Sequence, residues 1–282
     1  MTALVTPMKA DGAIDYPALE RLVESQIAAG MHGLVAMGTT GESATMSFEE
    51  HVAIVKAVVK TTDGRVPVVA GAGANATSKA IALSKACAEV GADALLHVTG
   101  YYNKPSQEGL YRHFVACADA TELPVVLYNV PGRTIIDLEN DTIARLAEHE
   151  RIVAIKDATG NMRRGSQLIS RLGDKIAVLS GDDFTTFSLL AMGGRGCVSV
   201  VSNAMPAQMA EMCNAAAAGQ WQRARELHFE LMRLTELLFV ESNPVPVKQV
   251  MALRGEIEPH VRLPLAPATA ELTAELKRWV NG

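Results

Sequence analysis

Short runs of Val, Ile, Leu and Ala alternate along most of the chain with longer stretches of helical period. The runs are Ala3–Thr6, Gly33–Met37, Val66–Ala70, Ala94–Val98, Val125–Tyr128, Ile152–Lys156, Lys175–Leu179 and Gly196–Val200. Each is nearly continuous in apolar character, as a strand covered on both faces must be. Their starts lie roughly 20 to 35 residues apart, room for one helix each. Helical stretches fill the gaps, among them Tyr16–Ala29, Phe48–Thr61, Ser78–Val90, Gln107–Ala120 and Leu138–Glu148. Ser47 followed by Glu50 has the form of a capping box and fixes one helix start.

Eight βα units in about 220 residues predict an α/β protein of the closed (β/α)8 barrel type. An open doubly wound sheet is the alternative with the same alternation. Beyond about residue 206 the strand-like runs stop. Ala207–Ala218, Gln220–Phe239, Val245–Leu253 and Thr269–Val280 read as helices, punctuated by Pro244, Pro246, Pro259, Pro264 and Pro267. The predicted division is a catalytic barrel over 1–219 and a helical subdomain over 220–282.

Composition narrows the class. The 282 residues are 49% hydrophobic and 20% charged, which excludes a disordered or fibrous chain. A net charge of −5 and 5% aromatic residues give neither the basic stripe nor the stacking platform of a nucleic-acid binder. No apolar run reaches membrane-spanning length. Cys87, Cys117, Cys197 and Cys213 have no metal spacing and sit among Ala and Val, so buried reduced thiols are expected. The chain enters a strand at Ala3, which leaves no room for a signal peptide and predicts a cytoplasmic protein; so abrupt a start also fits a few preceding residues.

In a (β/α)8 barrel the chemistry gathers at the C-terminal strand ends. There the sequence places Gly38-Thr39-Thr40-Gly41-Glu42-Ser43, Gly71-Ala72-Gly73, Tyr101-Tyr102-Asn103, Tyr128-Asn129, Lys156-Asp157 and Ser180-Gly181-Asp182-Asp183. Lys156 shares a strand face with Ile152 and Ala154. Among apolar walls its ammonium form is disfavoured, and a neutral amine attacks ketones to give a Schiff base. The alternatives are a lysine reaching out to solvent and an ion pair with Asp157. Tyr128 ends the preceding strand, near enough to pass protons to an imine or simply to line the interior. The Gly38–Ser43 loop offers N–H groups and hydroxyls suited to a small carboxylate, or Glu42 and Ser43 cap the next helix. Arg133, in a Pro-Gly turn, carries a planar fork that suits a second carboxylate, or lies on the surface.

Other patterns carry less. Gly71-x-Gly73-x-x-Ala76 is a loose dinucleotide fingerprint in the wrong βα unit. The seven histidines show no paired ligand spacing, and Asp182-Asp183 fits a helix N-terminus better than a metal site.

Gly38–Ser43, Tyr128-Asn129-Val130-Pro131-Gly132-Arg133-Thr134 and Lys156-Asp157-Ala158-Thr159-Gly160 together resemble the dihydrodipicolinate synthase family. The likeness continues through Tyr101–Gly109, Ser180–Asp183 and Asn243–Lys248, nearly the whole chain. The resemblance implies a class I aldolase-type barrel in which pyruvate forms a Schiff base with Lys156. The enamine then attacks L-aspartate 4-semialdehyde in the diaminopimelate route to lysine. By the same resemblance Tyr128 is the proton donor and acceptor, with Thr39 and Tyr102 completing a relay and Tyr102 supplied by a neighbouring subunit. Thr40 holds the pyruvate carboxylate with backbone help from Gly181 and Val198, and Arg133 holds the semialdehyde carboxylate. No metal or redox cofactor is implied, and a homotetramer is. The alternative on the same scaffold is a lyase of the N-acetylneuraminate type, from which Arg133 separates this sequence.

Some branches of the family are inhibited by lysine at a subunit interface. His51, Asn75 and Tyr101 match that site, but Lys79 replaces its glutamate and Phe48 one histidine. A cationic Lys79 repels a lysine ligand, so weak or absent inhibition is expected.

Overall fold

The computed structural model describes residues 1–282. Its first stretch runs β1 (Thr2–Ala3), α1 (Tyr16–Ala28), β2 (Leu34–Ala36) and α2 (Phe48–Thr62). The middle stretch runs β3 (Val68–Gly71), α3 (Thr77–Glu89), β4 (Ala94–Val98), α4 (Gln107–Ala118), β5 (Val125–Asn129), α5 (Pro131–Thr134), α6 (Asn140–Leu146), β6 (Ile152–Asp157), α7 (Met162–Leu172), β7 (Ala177–Ser180), α8 (Thr186–Ala191) and β8 (Gly196–Cys197). The last stretch is helical: α9 (Pro206–Ala217), α10 (Trp221–Leu238), α11 (Val245–Leu253) and α12 (Ala270–Asn281). The strands follow one another in sequence order, β1 to β8, in one eight-stranded sheet. Every recorded strand pair is parallel, the topology of the (β/α)8 fold.

Two compact units divide the chain: residues 68–198, and residues 1–67 together with 199–282. In the middle unit β3 to β8 form parallel pairs whose side chains are mostly buried, as two-sided coverage by helices requires. The register aligns Val98 with Tyr128, Tyr128 with Lys156 and Lys156 with Leu179.

In the other unit β1 pairs with β2 on one side. On its other side Ala3 donates to Ser199 O at 2.9 Å and Ser199 donates to Met1 O at 3.0 Å. Asn203 then receives the Val5 N–H at 3.0 Å and donates to Ala3 O at 2.8 Å. Helix α2 starts on the expected capping box, with Ser47 Oγ accepting from Glu50 N–H and Glu50 accepting from Ser47 N–H. Helices α9 to α12 belong to this same unit. No helix is long and apolar enough to cross a membrane. All four cysteines are free thiols, and burial pushes Cys87 and Cys117 up to about 12.

Candidate active site

Strand β6 delivers Lys156 to a buried position, 6% exposed, in register with Tyr128 on β5, also 6% exposed. The Lys156 Nζ lies 4.1 Å from the centre of the Tyr128 ring, within cation–π reach. Neither of the two alternatives for Lys156 is realised. The side chain is not solvated, and the next residue points to the opposite face. Asp157 is engaged there by Thr159 Oγ1 at 2.8 Å, Asn129 Nδ2 at 3.3 Å and Arg164 Nε at 3.4 Å. Burial raises the Asp157 pKa, and Arg164, Thr159 and Asn129 oppose that rise.

Gly181 flanks the same lysine. A Cβ there would lie 2.7 Å from Ala158 Cβ, 2.9 Å from Lys156 Cε and 3.0 Å from Lys156 Cγ. Glycine is therefore the residue that gives the lysine side chain its path. The Gly181 N–H donates to Asp157 O at 2.8 Å, and the Val198 N–H donates to Ser180 O at 2.8 Å. Both N–H groups are committed to carbonyls of the neighbouring strands.

The turn carrying Arg133 is a short helix, α5, which the Pro-Gly pair starts and an αL residue, Ile135, ends. Its base is fastened by Asn129, whose Oδ1 accepts from Leu138 N–H at 3.0 Å and whose Nδ2 donates to Asp137 at 2.7 Å. Arg133 itself is exposed. Tyr102 is 92% exposed with φ +72, and Tyr101 is 37% exposed. Asn75 is half-buried and Lys79 exposed. Asn75 O accepts from Asn103 Nδ2 at 2.7 Å.

The Gly38–Ser43 loop belongs to the other unit. Gly41 and Ser43 donate to Gly38 O, and Glu42 donates to Thr39 O at 3.0 Å, so three of its N–H groups close the turn. Thr40 is buried, and its Oγ1 accepts from Asn243 Nδ2 at 2.9 Å. Thr39 is half-buried. His51 is buried on α2.

Glu42 stands at the N-cap of a 3-10 turn, Ser43–Thr45, but its side chain makes no capping hydrogen bond. It adopts a left-handed conformation, φ +59, and pairs with Lys248 Nζ at 2.6 Å, both side chains 0% exposed. Burial lowers the Lys248 pKa while Glu42 opposes that fall. Loss of one partner from such a pair costs about 3–5 kcal/mol, because the other charge stays buried. The sequence reading missed this contact. Its signal was a charged residue in each of two otherwise apolar or Gly-rich motifs, Gly38–Ser43 and Asn243–Lys248. The two buried lysines are thus unlike: Lys248 is tied to a carboxylate and a carbonyl, whereas Lys156 faces an aromatic ring.

Asp182 does not cap α8 through a backbone N–H. Its Oδ2 accepts from Thr185 Oγ1 at 2.6 Å, and α8 has no side-chain cap. No group of three or more His, Cys, Asp or Glu is arranged to hold a metal ion.

A (β/α)8 sheet whose neighbouring strands bring an aligned tyrosine and lysine together defines the class of lysine-dependent, aldolase-type barrels. The chain belongs to the dihydrodipicolinate synthetase family, whose model matches residues 1–282. A 4-hydroxy-tetrahydrodipicolinate synthase from Thermodesulfovibrio yellowstonii is 52% identical over 265 residues, covering 94% of this chain and 91% of that protein. One from Pelobacter propionicus is 49% identical over 283 residues, covering 99% and 97%. The crystal structure of dihydrodipicolinate synthase from Acinetobacter baumannii complexed with pyruvate superposes with a TM-score of 0.98. It is 48% identical and covers 99% of this chain and 96% of that one. The family is one of lyase-type enzymes of the class I aldolase kind, and these relatives favour the synthase reading over a lyase of the N-acetylneuraminate type.

Proposed function

We propose that the chain condenses pyruvate with L-aspartate 4-semialdehyde through an imine on Lys156. The observation that carries this is the buried Lys156–Tyr128 pair, in register on adjacent strands with the amine 4.1 Å from the ring. Proximity of this kind converts proton transfer into a local event.

The Lys156 amine adds to the keto carbon of pyruvate, and the carbinolamine loses water to give the imine. Loss of a methyl proton gives an enamine, whose carbon attacks the aldehyde carbon of the second substrate. The amino group of that substrate then displaces Lys156 by transimination, closing the ring and freeing the enzyme. The imine is itself the electron sink, so the chemistry calls for no metal or redox cofactor. Tyr128 is assigned the proton transfers, with Thr39 and Tyr102 as relay. Thr40 is assigned the pyruvate carboxylate, and Arg133 the carboxylate of the semialdehyde. Gly181 and Val198 serve the pyruvate site. The 92% exposure of Tyr102 supports a role completed by a neighbouring subunit, in a homotetramer. His51, Asn75, Lys79 and Tyr101 are assigned to an interface site that binds lysine weakly or not at all. Residues 1–219 form the catalytic barrel and 220–282 an appended helical subdomain, in a cytoplasmic enzyme.

Incubation with pyruvate, reduction with borohydride and peptide mass mapping test the proposal. One pyruvate-derived adduct on Lys156 is the expected result. An unmodified Lys156 overturns it, and absence of turnover with aspartate semialdehyde overturns the choice of second substrate.

A further inference from the structure

The Glu42–Lys248 pair closes on the loop that carries Thr39 and Thr40. Both Glu42 carboxylate oxygens receive donors: Lys248 Nζ at 2.6 Å on one and Arg262 N–H at 2.9 Å on the other. Lys248 also donates to His260 O at 2.6 Å. The Glu42 N–H is hydrogen-bonded to Thr39 O at 3.0 Å, and its carbonyl accepts from Thr45 Oγ1 at 3.0 Å. Displacing Glu42 therefore displaces Thr39.

The same C-terminal segment grips the loop at two further points. Asn243 Nδ2 donates to Thr40 Oγ1, which leaves the Thr40 proton to be donated elsewhere, the polarity that a carboxylate ligand needs. The Arg262 guanidinium reaches Thr45 O at 3.0 Å, Gly12 O at 2.8 Å and both Glu50 oxygens. Glu42 holds a left-handed backbone that a residue with a side chain seldom adopts, and such a conformation persists where its surroundings over-determine it.

We infer that Glu42 and Lys248 are positioning residues: the buried pair and the Asn243–Arg262 segment set the hydroxyls of Thr39 and Thr40 for the pyruvate site. The inference rests on the proposed role of those two threonines. The same geometry makes glutamine a poor substitute for Glu42. Both of its oxygens face donors, so a glutamine must turn its NH2 toward one of them.

The test uses the full chain as Lys248→Met, Glu42→Gln and the double variant E42Q/K248M. The double variant leaves no buried charge uncompensated, which favours folding where either single change fails. Amide hydrogen exchange of the peptide spanning 38–46 is expected to accelerate at least tenfold, while the β5 and β6 peptides stay unchanged. The pyruvate KM is expected to rise at least tenfold, with the semialdehyde KM within twofold of wild type. A merely structural pair would lower the melting temperature and the fraction of sites titrated by borohydride and leave KM in place. Unchanged exchange in the loop overturns the inference, and so does faster exchange with an unchanged pyruvate KM. A wild-type chain that forms no adduct on Lys156 sinks the catalytic reading instead, and exchange then decides alone whether the pair holds the loop.

Discussion

Replacing Gly181 by alanine adds one methyl group beside the proposed nucleophile. The added carbon would stand 2.9 Å from Lys156 Cε, 3.0 Å from Lys156 Cγ and 2.7 Å from Ala158 Cβ. Relaxed carbon–carbon contacts are about 3.5–4.0 Å, so the lysine chain has to shift by about 0.5–1 Å. The backbone cannot retreat freely, because the Gly181 N–H is bonded to Asp157 O. Overpacking of this kind costs about 1–3 kcal/mol of stability. A displacement of about 1 Å in a reacting group costs on the order of 100-fold in rate. The expected outcome for Gly181→Ala is a folded protein that forms the pyruvate adduct about 30- to 100-fold more slowly. Borohydride quenching at timed intervals, followed by intact mass, measures that rate, and thermal melting checks the fold. Trapping at the wild-type rate would show that Lys156 has room to spare and that the glycine is not there to give it a path.

Three further outcomes follow from the same geometry. Arg133→Ala should raise the semialdehyde KM about 10- to 100-fold, the loss of one charge-assisted pairing, with little change for pyruvate; equal effects on both contradict its role. His97 is fully buried, with Ser84 Oγ 3.2 Å from its Nε2 and His113 nearby, and burial, aided by His113, pulls its pKa down to about 3. The unfolded chain protonates His97 below about 6.5 while the folded chain resists, so stability is lost as pH falls from about 6.5 toward 3, by about 1.4 kcal/mol per unit. His97→Gln should flatten that slope in denaturant titrations between pH 6.5 and 4.5, and an unchanged slope refutes the assignment. Lysine at submillimolar concentration should leave steady-state turnover intact, since Lys79 opposes a cationic ligand; a halved rate would remove that argument.

Much of the fold was legible because parallel strands covered by helices leave a strong apolar signature. The runs Ala94–Val98 and Ile152–Lys156 lie within a residue of β4 and β6. The ends were less legible where tertiary partners decide. Of Ala3–Thr6 only Ala3 is strand, in the two-residue β1 (Thr2–Ala3), and the stretch after Cys197 leaves the strand for a 3-10 turn at Val201–Asn203. In the site, strand alternation alone placed Tyr128 beside Lys156, since both are set by local period and order. The Glu42–Lys248 pair spans 206 positions. Its one local sign, a charged residue in an apolar or Gly-rich motif, reads equally well as a cap and does not name the partner.

The bonds of β1 to Ser199 and Asn203 also bear on how the chain comes to be folded. Donors and acceptors of the first strand are matched by groups about two hundred positions downstream. At about 5–20 residues per second, a ribosome needs about 10–40 seconds to supply them. Until then one edge of β1 has no native partner, and an unpaired strand edge invites the wrong one. The opening residues of this chain are therefore among the last to settle, and a shield for them during synthesis matters more than their two-residue length suggests.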